Sequence, residues 1–141
     1  MVHSLQRTML MAKAGANVIK IEPPRGEPLR RRVIATGGDT TLPMAMLNAN
    51  KRGVTLNLKS EAGKDLLRKM VARADVLLEN FGPGAMDRMG LTWERIQELN
   101  PRIVYASITG FGQTGPWKGR RAYAAVIQAE SGFTRSQIEA Q

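Results

Sequence analysis

The sequence predicts an α/β protein built on a doubly wound parallel sheet, with helices packed on both faces. Three observations support this. Segments of strand length that are apolar or alternate in polarity recur along the chain, stretches with helical periodicity and capping residues separate them, and glycine-rich turns follow two of them. The predicted strands are residues 17–22, 54–58, 75–79 and 103–108.

The first part of the chain predicts one helix, one strand and a long connection. Residues 5–14 read as a helix that Gly15 closes as its C′ residue. The strand at 17–22 ends at a Pro-Pro pair. No periodicity persists from 23 to 50, where Gly37, Gly38 and Asp39 indicate an irregular loop and 44–47 a short helical turn. Connections of this length are often functional.

The middle of the chain predicts a strand, a capped helix and a second strand. Residues 54–58 alternate strictly, so this strand should bury one side. Ser60 should cap a helix over 61–74, which has an apolar face and a solvated charged face. Residues 75–79 are apolar and bounded by polar residues, as expected of a strand buried on both faces of a parallel sheet.

A turn with two glycines follows this strand. Gly82 and Gly84 allow a ligand to approach the backbone, and Pro83 suits the first position of a helix whose N-terminus would favour a phosphate. Arg88, about one turn further on, could add a fixed positive charge. An ordinary connection that needed glycine for its geometry explains the spacing equally well. The spacing alone leaves both readings open.

The last part of the chain predicts a second capped helix, a strand and a final helix. Thr92 is the expected N-cap, with Leu91 packing on Ile96 across it, and Asn100-Pro101 ends the helix. The strand at 103–108 opens into a flexible loop over 110–116. A helix is expected over 122–130, followed by a polar tail over 134–141.

Composition excludes several classes of chemistry. The 141 residues suit one domain, and 43% hydrophobic with 23% charged residues is an ordinary soluble composition. The sequence has no apolar run long enough to span a bilayer and no cleavable leader, which predicts a cytoplasmic protein. Without cysteine and with the single histidine His3, no disulfide, thiolate nucleophile or usual zinc site is expected.

The charge predicts an anionic partner. The formal net charge is +9, from 21 Lys and Arg against 12 Asp and Glu, which favours polyanions or ligands that carry several phosphates. The aromatic residues are scattered rather than placed for base stacking, so a nucleic acid ranks below a phosphorylated small ligand. The densest basic cluster is interpreted as a solvated loop: Lys20, Arg25, Arg30, Arg31 and Arg32.

Residues 79–101 closely resemble the family III CoA-transferases, which include L-carnitine dehydratase and bile acid-inducible protein F. Within this family the likeness is greatest to the formyl-CoA:oxalate CoA-transferases. Further matching segments follow in unchanged order over nearly the whole chain: 15–22, 48–52, 56–59, 110–116 and 128–132, with Tyr123.

The resemblance implies a fold and an activity. It identifies residues 1–141 as part of the family's CoA-binding, Rossmann-like N-terminal domain, with the first strand and the second, smaller domain absent. It implies transfer of coenzyme A between carboxylic acids, in which an aspartate attacks the thioester and an anhydride and an enzyme-CoA thioester follow. Coenzyme A is then a substrate and not a covalently bound cofactor. Family members form interlocked homodimers, and no metal or membrane is implied.

The resemblance also assigns binding residues. Lys59, Arg88 and Arg121 would face the phosphates of coenzyme A. The family's nucleophilic aspartate is expected beyond Gln141, so no catalytic residue is assigned. The sequence departs from the pattern at Pro23, where a basic residue is usual, and at Ala124, where many members have an acid. The implied CoA contacts are Leu56, Asn57, Leu58, Lys59, Asn80, Phe81, Gly82, Arg88, Arg121, Ala122, Tyr123 and Ala124.

Three other functions stay open at this point. An α-methylacyl-CoA racemase of the same family would place a histidine near Tyr123, and tyrosine, with a pKa of about 10, is a poor base at neutral pH. This favours the transferase. A non-catalytic remnant of a split gene would expose apolar surface and a sheet edge. A basic nucleic-acid-binding module would show steeply salt-dependent affinity and ranks last.

Overall fold

The computed structural model describes residues 2–31 and 41–139. Helices and strands alternate as the sequence predicts, which confirms the α/β class. Within these ranges no helix is long and apolar enough to cross a membrane. The elements in chain order are α1 (Val2–Lys13), β1 (Ile19–Glu22), a 3-10 helix (Pro28–Arg31), α2 (Leu42–Asn48), β2 (Arg52–Thr55), α3 (Glu61–Val71), β3 (Val76–Glu79), α4 (Ala85–Arg88), α5 (Trp93–Leu99), β4 (Val104–Ser107), α6 (Ala124–Glu130) and α7 (Phe133–Glu139).

The strands form two parallel pairs. β1 pairs with β2 and β3 pairs with β4, so the described residues contain two two-stranded sheets and not one continuous sheet. Ile21 of β1 and Leu77 of β3 pack against the same hydrophobic cluster. Both pairs therefore contribute to one core, which is formed largely by α3, α4 and α5.

The prediction that residues 75–79 are buried on both faces is wrong. Leu77 and its neighbour Tyr105 on β4 pack against the core. Val76 and Val104, which lie opposite each other on the other face, are 38% and 61% exposed. An apolar strand sequence indicates what the strand can bury, whereas coverage depends on which elements pack against each face.

Both predicted N-caps are confirmed. The Ser60 hydroxyl accepts from the Gly63 N–H at 3.2 Å, and the Thr92 hydroxyl accepts from the Arg95 N–H at 3.3 Å. After the C-terminal end of α1, Gly15 has φ +97°, as a C′ glycine should. These signals are local, and each involves residues a few positions apart.

Several predicted boundaries need correction. The second strand begins at Arg52, not Val54, and ends at Thr55, because the chain then turns and Leu58 packs into the core. The last helix begins at Ala124 rather than at Ala122. The predicted polar tail contains α7, which carries an Arg135–Glu139 ion pair of 2.7 Å one turn apart. Residues 37–39 of the predicted loop lie outside the described residues.

The interpretation of the basic cluster as a solvated loop is wrong for Lys20 and Arg30. Arg30 donates to both carboxylate oxygens of Glu22, at 2.7 Å from Nε and 2.9 Å from Nη2. Lys20 pairs with Glu27 and lies 3.5 Å from Glu22 Oε1. Both carboxylates are buried, so this network holds the segment after β1 against the strand. Arg32 lies outside the described residues.

Acid should weaken this network. The hydrogen bond from Arg30 lowers the pKa of Glu22 from 4.5 to about 2. A carboxyl with a lowered folded-state pKa stabilises the protein above its unfolded pKa and loses that stabilisation as the pH falls toward the folded value. The free energy of unfolding should therefore drop between about pH 4.5 and pH 2. Glu22→Gln should lower it by roughly 2 kcal/mol at pH 7, since Arg30 is partly exposed to solvent.

Urea unfolding at several pH values checks this expectation. Glu98→Gln is the matched control, because Glu98 is an exposed carboxylate on α5 whose ion-pair partner Arg95 is also exposed. The control should change stability by about 0.5 kcal/mol or less. Equal acid slopes for wild type and Glu22→Gln would contradict the assignment.

Candidate functional site

The loops that follow β2, β3 and β4 lie at the carboxyl ends of these parallel strands. Ligands of open α/β sheets bind at this edge. The loops and the first residues of the helices that follow them contain the predicted contact residues, in the segments 56–59, 80–88 and 121–124.

Two contacts join the segments after β3 and β4, and a third anchors the segment after β2. The Asn80 side-chain amide donates to the Ile108 carbonyl, which ties the end of β3 to the end of β4. A Cβ built on Gly110 would lie 1.9 Å from Ala122 Cβ, so segment 121–124 packs directly on the chain leaving β4. Leu58 packs against the core cluster that contains Met86 of α4. The fold therefore brings the segments after β3 and β4 together, whereas segment 56–59 meets the rest of the chain through Leu58 in the core.

The turn after β3 differs from its prediction. Pro83 does not occupy the first helical position. Gly84, with φ +69°, is the N-cap, and α4 has only four residues. A helix of one turn aligns few peptide dipoles, so it offers little of the expected positive end. The Arg88 guanidinium lies over the turn instead, with Nη1 and Nη2 each 3.4 Å from the Pro83 carbonyl oxygen.

The other predicted contacts divide into inward and outward side chains. The Leu58 side chain packs against the core, whereas Lys59 is exposed. The Asn57 side chain stabilises the turn in which it lies, because its Oδ1 accepts from the Lys59 N–H at 3.1 Å. Tyr123 is the N-cap residue of α6 and is 62% exposed. The remaining predicted residues that are exposed are Phe81, Gly82, Arg88, Arg121, Ala122 and Ala124.

Sequence reasoning missed Glu79, the last residue of β3. It is 7% exposed, and its Oε2 accepts from the Phe81 N–H at 2.6 Å. Its Oε1 accepts from the hydroxyls of Tyr105, at 3.2 Å, and Ser107. Gln113 in turn donates to Ser107. The register places Glu79 opposite Ser107, and this pairing could have been found by aligning the ends of the two strands.

This carboxylate lines a cavity of about 450 Å³ between the turn after β3 and the start of α5. Trp93 stacks on Tyr105 in its wall, with ring centroids 6.0 Å apart and an interplanar angle of 14°. Burial, followed by the charge of Glu79, raises the pKa of Tyr105 to about 12, so this hydroxyl keeps its proton at neutral pH. Phe81 and Gly82 also line the cavity.

The loop after β4 is anchored by a second cluster. Arg120 lies over the rings of Trp117 and Phe111, with its Cζ 4.9 Å and 5.5 Å from their centroids. It also pairs with Glu130 of α6 at 3.2 Å. The predicted flexible loop over 110–116 therefore begins beside a defined aromatic and ionic contact. Among residues 2–31 and 41–139, no group of three or more potential ligand side chains could hold a metal ion.

Residues 2–141 match the sequence profile of CoA-transferase family III. A formyl-CoA:oxalate CoA-transferase of Streptomyces coelicolor is 52% identical over 125 residues, which are 89% of this chain and 30% of that protein. The corresponding protein of Escherichia coli O6:H1 is 45% identical over 126 residues, again 89% and 30%. The chain thus spans about 30% of the length of these relatives.

Solved structures of larger proteins are also similar to this chain. A CAIB/BAIF family protein from Brucella suis has a TM-score of 0.79 and 37% identity, covering 91% of this chain and 34% of its own. The protein Rv3272 from M. tuberculosis has a TM-score of 0.80 and 34% identity, covering 93% and 37%. These findings confirm the family resemblance predicted from the residues.

Proposed function

The chain belongs to CoA-transferase family III, and on this premise we propose that residues 1–141 form the CoA-binding part of an enzyme that moves coenzyme A between carboxylic acids. Formyl-CoA and oxalate are the first donor and acceptor to test, because curated relatives at 45–52% identity carry that name. A cytoplasmic location and the family's interlocked homodimer belong to the same proposal.

The meeting of the loops after β3 and β4 at the carboxyl ends of their strands is the observation that carries this proposal. Asn80 is tied to Ile108, and Ala122 packs on Gly110, so segments distant in sequence share one surface. We propose that coenzyme A lies across this surface. Its contacts would come from Leu56, Asn57, Leu58, Lys59, Asn80, Phe81, Gly82, Arg88, Arg121, Ala122, Tyr123 and Ala124.

The electrostatics support an anionic ligand at this edge. Coenzyme A bears a pyrophosphate and a 3′-phosphate, and charge-assisted hydrogen bonds to such groups are about twice as strong as neutral ones. Arg88 and Arg121 are exposed in the segments after β3 and β4, and Lys59 is exposed in the segment after β2. The formal net charge of +9 adds long-range attraction.

Binding without turnover is the expected behaviour of these 141 residues alone. In the proposed reaction an aspartate attacks the thioester carbonyl and coenzyme A leaves as its thiolate. None of the four aspartates lies in the family's nucleophile motif: Asp39, Asp65, Asp75 and Asp87. Asp65 instead pairs with Arg68 on the surface of α3.

Arg88→Gln should weaken CoA binding about tenfold, because the variant loses a charge-assisted contact at the turn after β3. Isothermal titration calorimetry with CoA measures the affinity. Arg95→Gln is the matched control, since Arg95 is an exposed arginine on α5 that pairs with Glu98 at 2.6 Å. It removes the same charge and should change the affinity about twofold or less.

Two outcomes would count against the proposal. If the folded wild type gives no heat with CoA, the CoA site is wrong. If both arginine variants weaken binding equally, only net charge attracts the ligand, and the assignment of Arg88 fails.

A further inference from the structure

We propose that Glu79 is a positioning residue that locks the loops after β3 and β4 into one arrangement for coenzyme A. This inference rests on the proposed CoA site, since the turn held by Glu79 contains the expected contacts Asn80 and Phe81. Glu79 itself is buried and its carboxylate is satisfied by protein donors, so it acts through its neighbours and not by touching the ligand.

One carboxylate oxygen fixes the turn after β3. Oε2 accepts from the Phe81 N–H at 2.6 Å, which orients the peptide between Asn80 and Phe81. The Asn80 side chain is then placed to donate to the Ile108 carbonyl across the sheet edge. This peptide also sets the direction in which the Phe81 side chain leaves the backbone. Phe81 is 46% exposed.

The other oxygen fixes the loop after β4. Oε1 accepts from the hydroxyls of Tyr105 and Ser107. The Ser107 oxygen accepts in turn from the Gln113 side-chain amide, six residues along the chain. Because the two oxygens belong to one rigid group, the turn at 80–84 and the loop at 110–116 are coupled through it.

A neutral amide cannot replace this carboxylate fully. A carboxylate accepts at both oxygens, whereas glutamine has one accepting oxygen and one NH₂ group. In a Glu79→Gln variant, either the Phe81 N–H would face a donor, or the Tyr105 and Ser107 hydroxyls would have to turn from donating to accepting. In both orientations the bonds lose their charge assistance, so the restraint on the two loops weakens.

An electrostatic role and a positioning role of Glu79 predict opposite effects of its removal on the affinity for coenzyme A. A buried negative charge near a polyanionic ligand repels it, so removing that charge should tighten CoA binding if only electrostatics mattered. If Glu79 positions the loops, removing it should weaken binding. Glu98→Gln changes the net charge equally at an exposed site and measures the electrostatic effect alone.

The experiment measures CoA affinity by calorimetry and the backbone amide signals of the ligand-free protein by ¹⁵N NMR. Glu79→Gln should bind CoA about tenfold more weakly than wild type, and Glu98→Gln about equally or slightly more tightly. In Glu79→Gln the Phe81 amide proton should move upfield, since it loses a short bond to a charged acceptor. Equal or tighter binding by Glu79→Gln, with an unmoved Phe81 signal, would overturn the inference.

The NMR measurement separates this inference from the proposed function. A wild type that does not bind CoA overturns the CoA site, and the Phe81 signal then still reports whether Glu79 holds the turn. If Glu79→Gln does not fold, Ser107→Ala removes the hydroxyl that links Glu79 Oε1 to Gln113 and leaves the Tyr105 and Phe81 donors to Glu79 in place. That variant should shift the Gln113 signals and leave the Phe81 amide in place. Unmoved Gln113 signals would overturn the coupling.

Discussion

Gly63→Ala should lower the free energy of unfolding by about 3 kcal/mol, although alanine is the better helix former. Gly63 lies in the first turn of α3 and is buried. A Cβ added there would lie 2.1 Å from the Asn57 carbonyl oxygen and 2.7 Å from its carbon. Helix propensity alone would predict a gain of about 1 kcal/mol, so the expected sign is reversed.

The clash is expensive because the obstructing atoms are backbone held by further bonds. The Asn57 carbonyl accepts from the Ser60 hydroxyl at 2.9 Å and from the Ser60 N–H at 3.1 Å. Ser60 is also the N-cap whose hydroxyl accepts from the Gly63 N–H. Moving Asn57 away therefore disturbs the cap, which by itself contributes about 1 kcal/mol.

Urea unfolding of Gly63→Ala beside Gly53→Ala measures the effect. Gly53 is the control, because a Cβ built there meets nothing within 4 Å. It should change stability by about 0.5 kcal/mol or less. CoA titration gives a second readout, since displacement of Asn57 should also move Leu56 to Lys59. A stabilised Gly63→Ala variant would show that the described packing of this turn is wrong.

Ile96→Ala should cost roughly 3 to 4 kcal/mol, which is a large share of the total stability of a small domain. Ile96 on α5 is 0% exposed and belongs to the core cluster with Leu91 and Met86. Leu91 is itself 1% exposed, so the walls around a truncated side chain are densely packed and have little freedom to collapse. The lost contacts would loosen α4, and with it the turn that carries Arg88.

Ile138→Ala is the matched control, because the same side chain is removed from a helix at a site that is 68% exposed. It should change stability by about 0.5 kcal/mol or less. Thermal and urea unfolding of both variants give the comparison. Similar losses for Ile96→Ala and Ile138→Ala would contradict the described core.

Local chemistry explains what could be predicted. The caps at Ser60 and Thr92 and the C′ glycine Gly15 were identified correctly because each depends on residues within about one helical turn. The order of helices and strands followed from periodicity in the same way. Boundaries were less accurate, as at β2, because a strand ends where its pairing ends and not where its alternation ends.

Two of the errors come from contacts that reach beyond one helical turn, and the third comes from the local geometry of a turn. Lys20 and Arg30 read as solvated cations, yet both pair with buried carboxylates. Residues 75–79 read as fully buried, yet Val76 is 38% exposed because burial depends on neighbouring elements. Pro83 read as a helical residue, yet α4 starts two positions later.

The sequence by itself determined the α/β order of elements, the family, and which loops carry the candidate CoA contacts. Only the tertiary structure decided that the loops after β3 and β4 meet, that Arg88 lies over the turn after β3, and that Glu79 bonds to groups of both loops. Glu79 bonds Tyr105 and Ser107, which are 26 and 28 positions away. Such contacts leave no periodic mark in a sequence, because parallel strands bring their ends together only through the intervening helices.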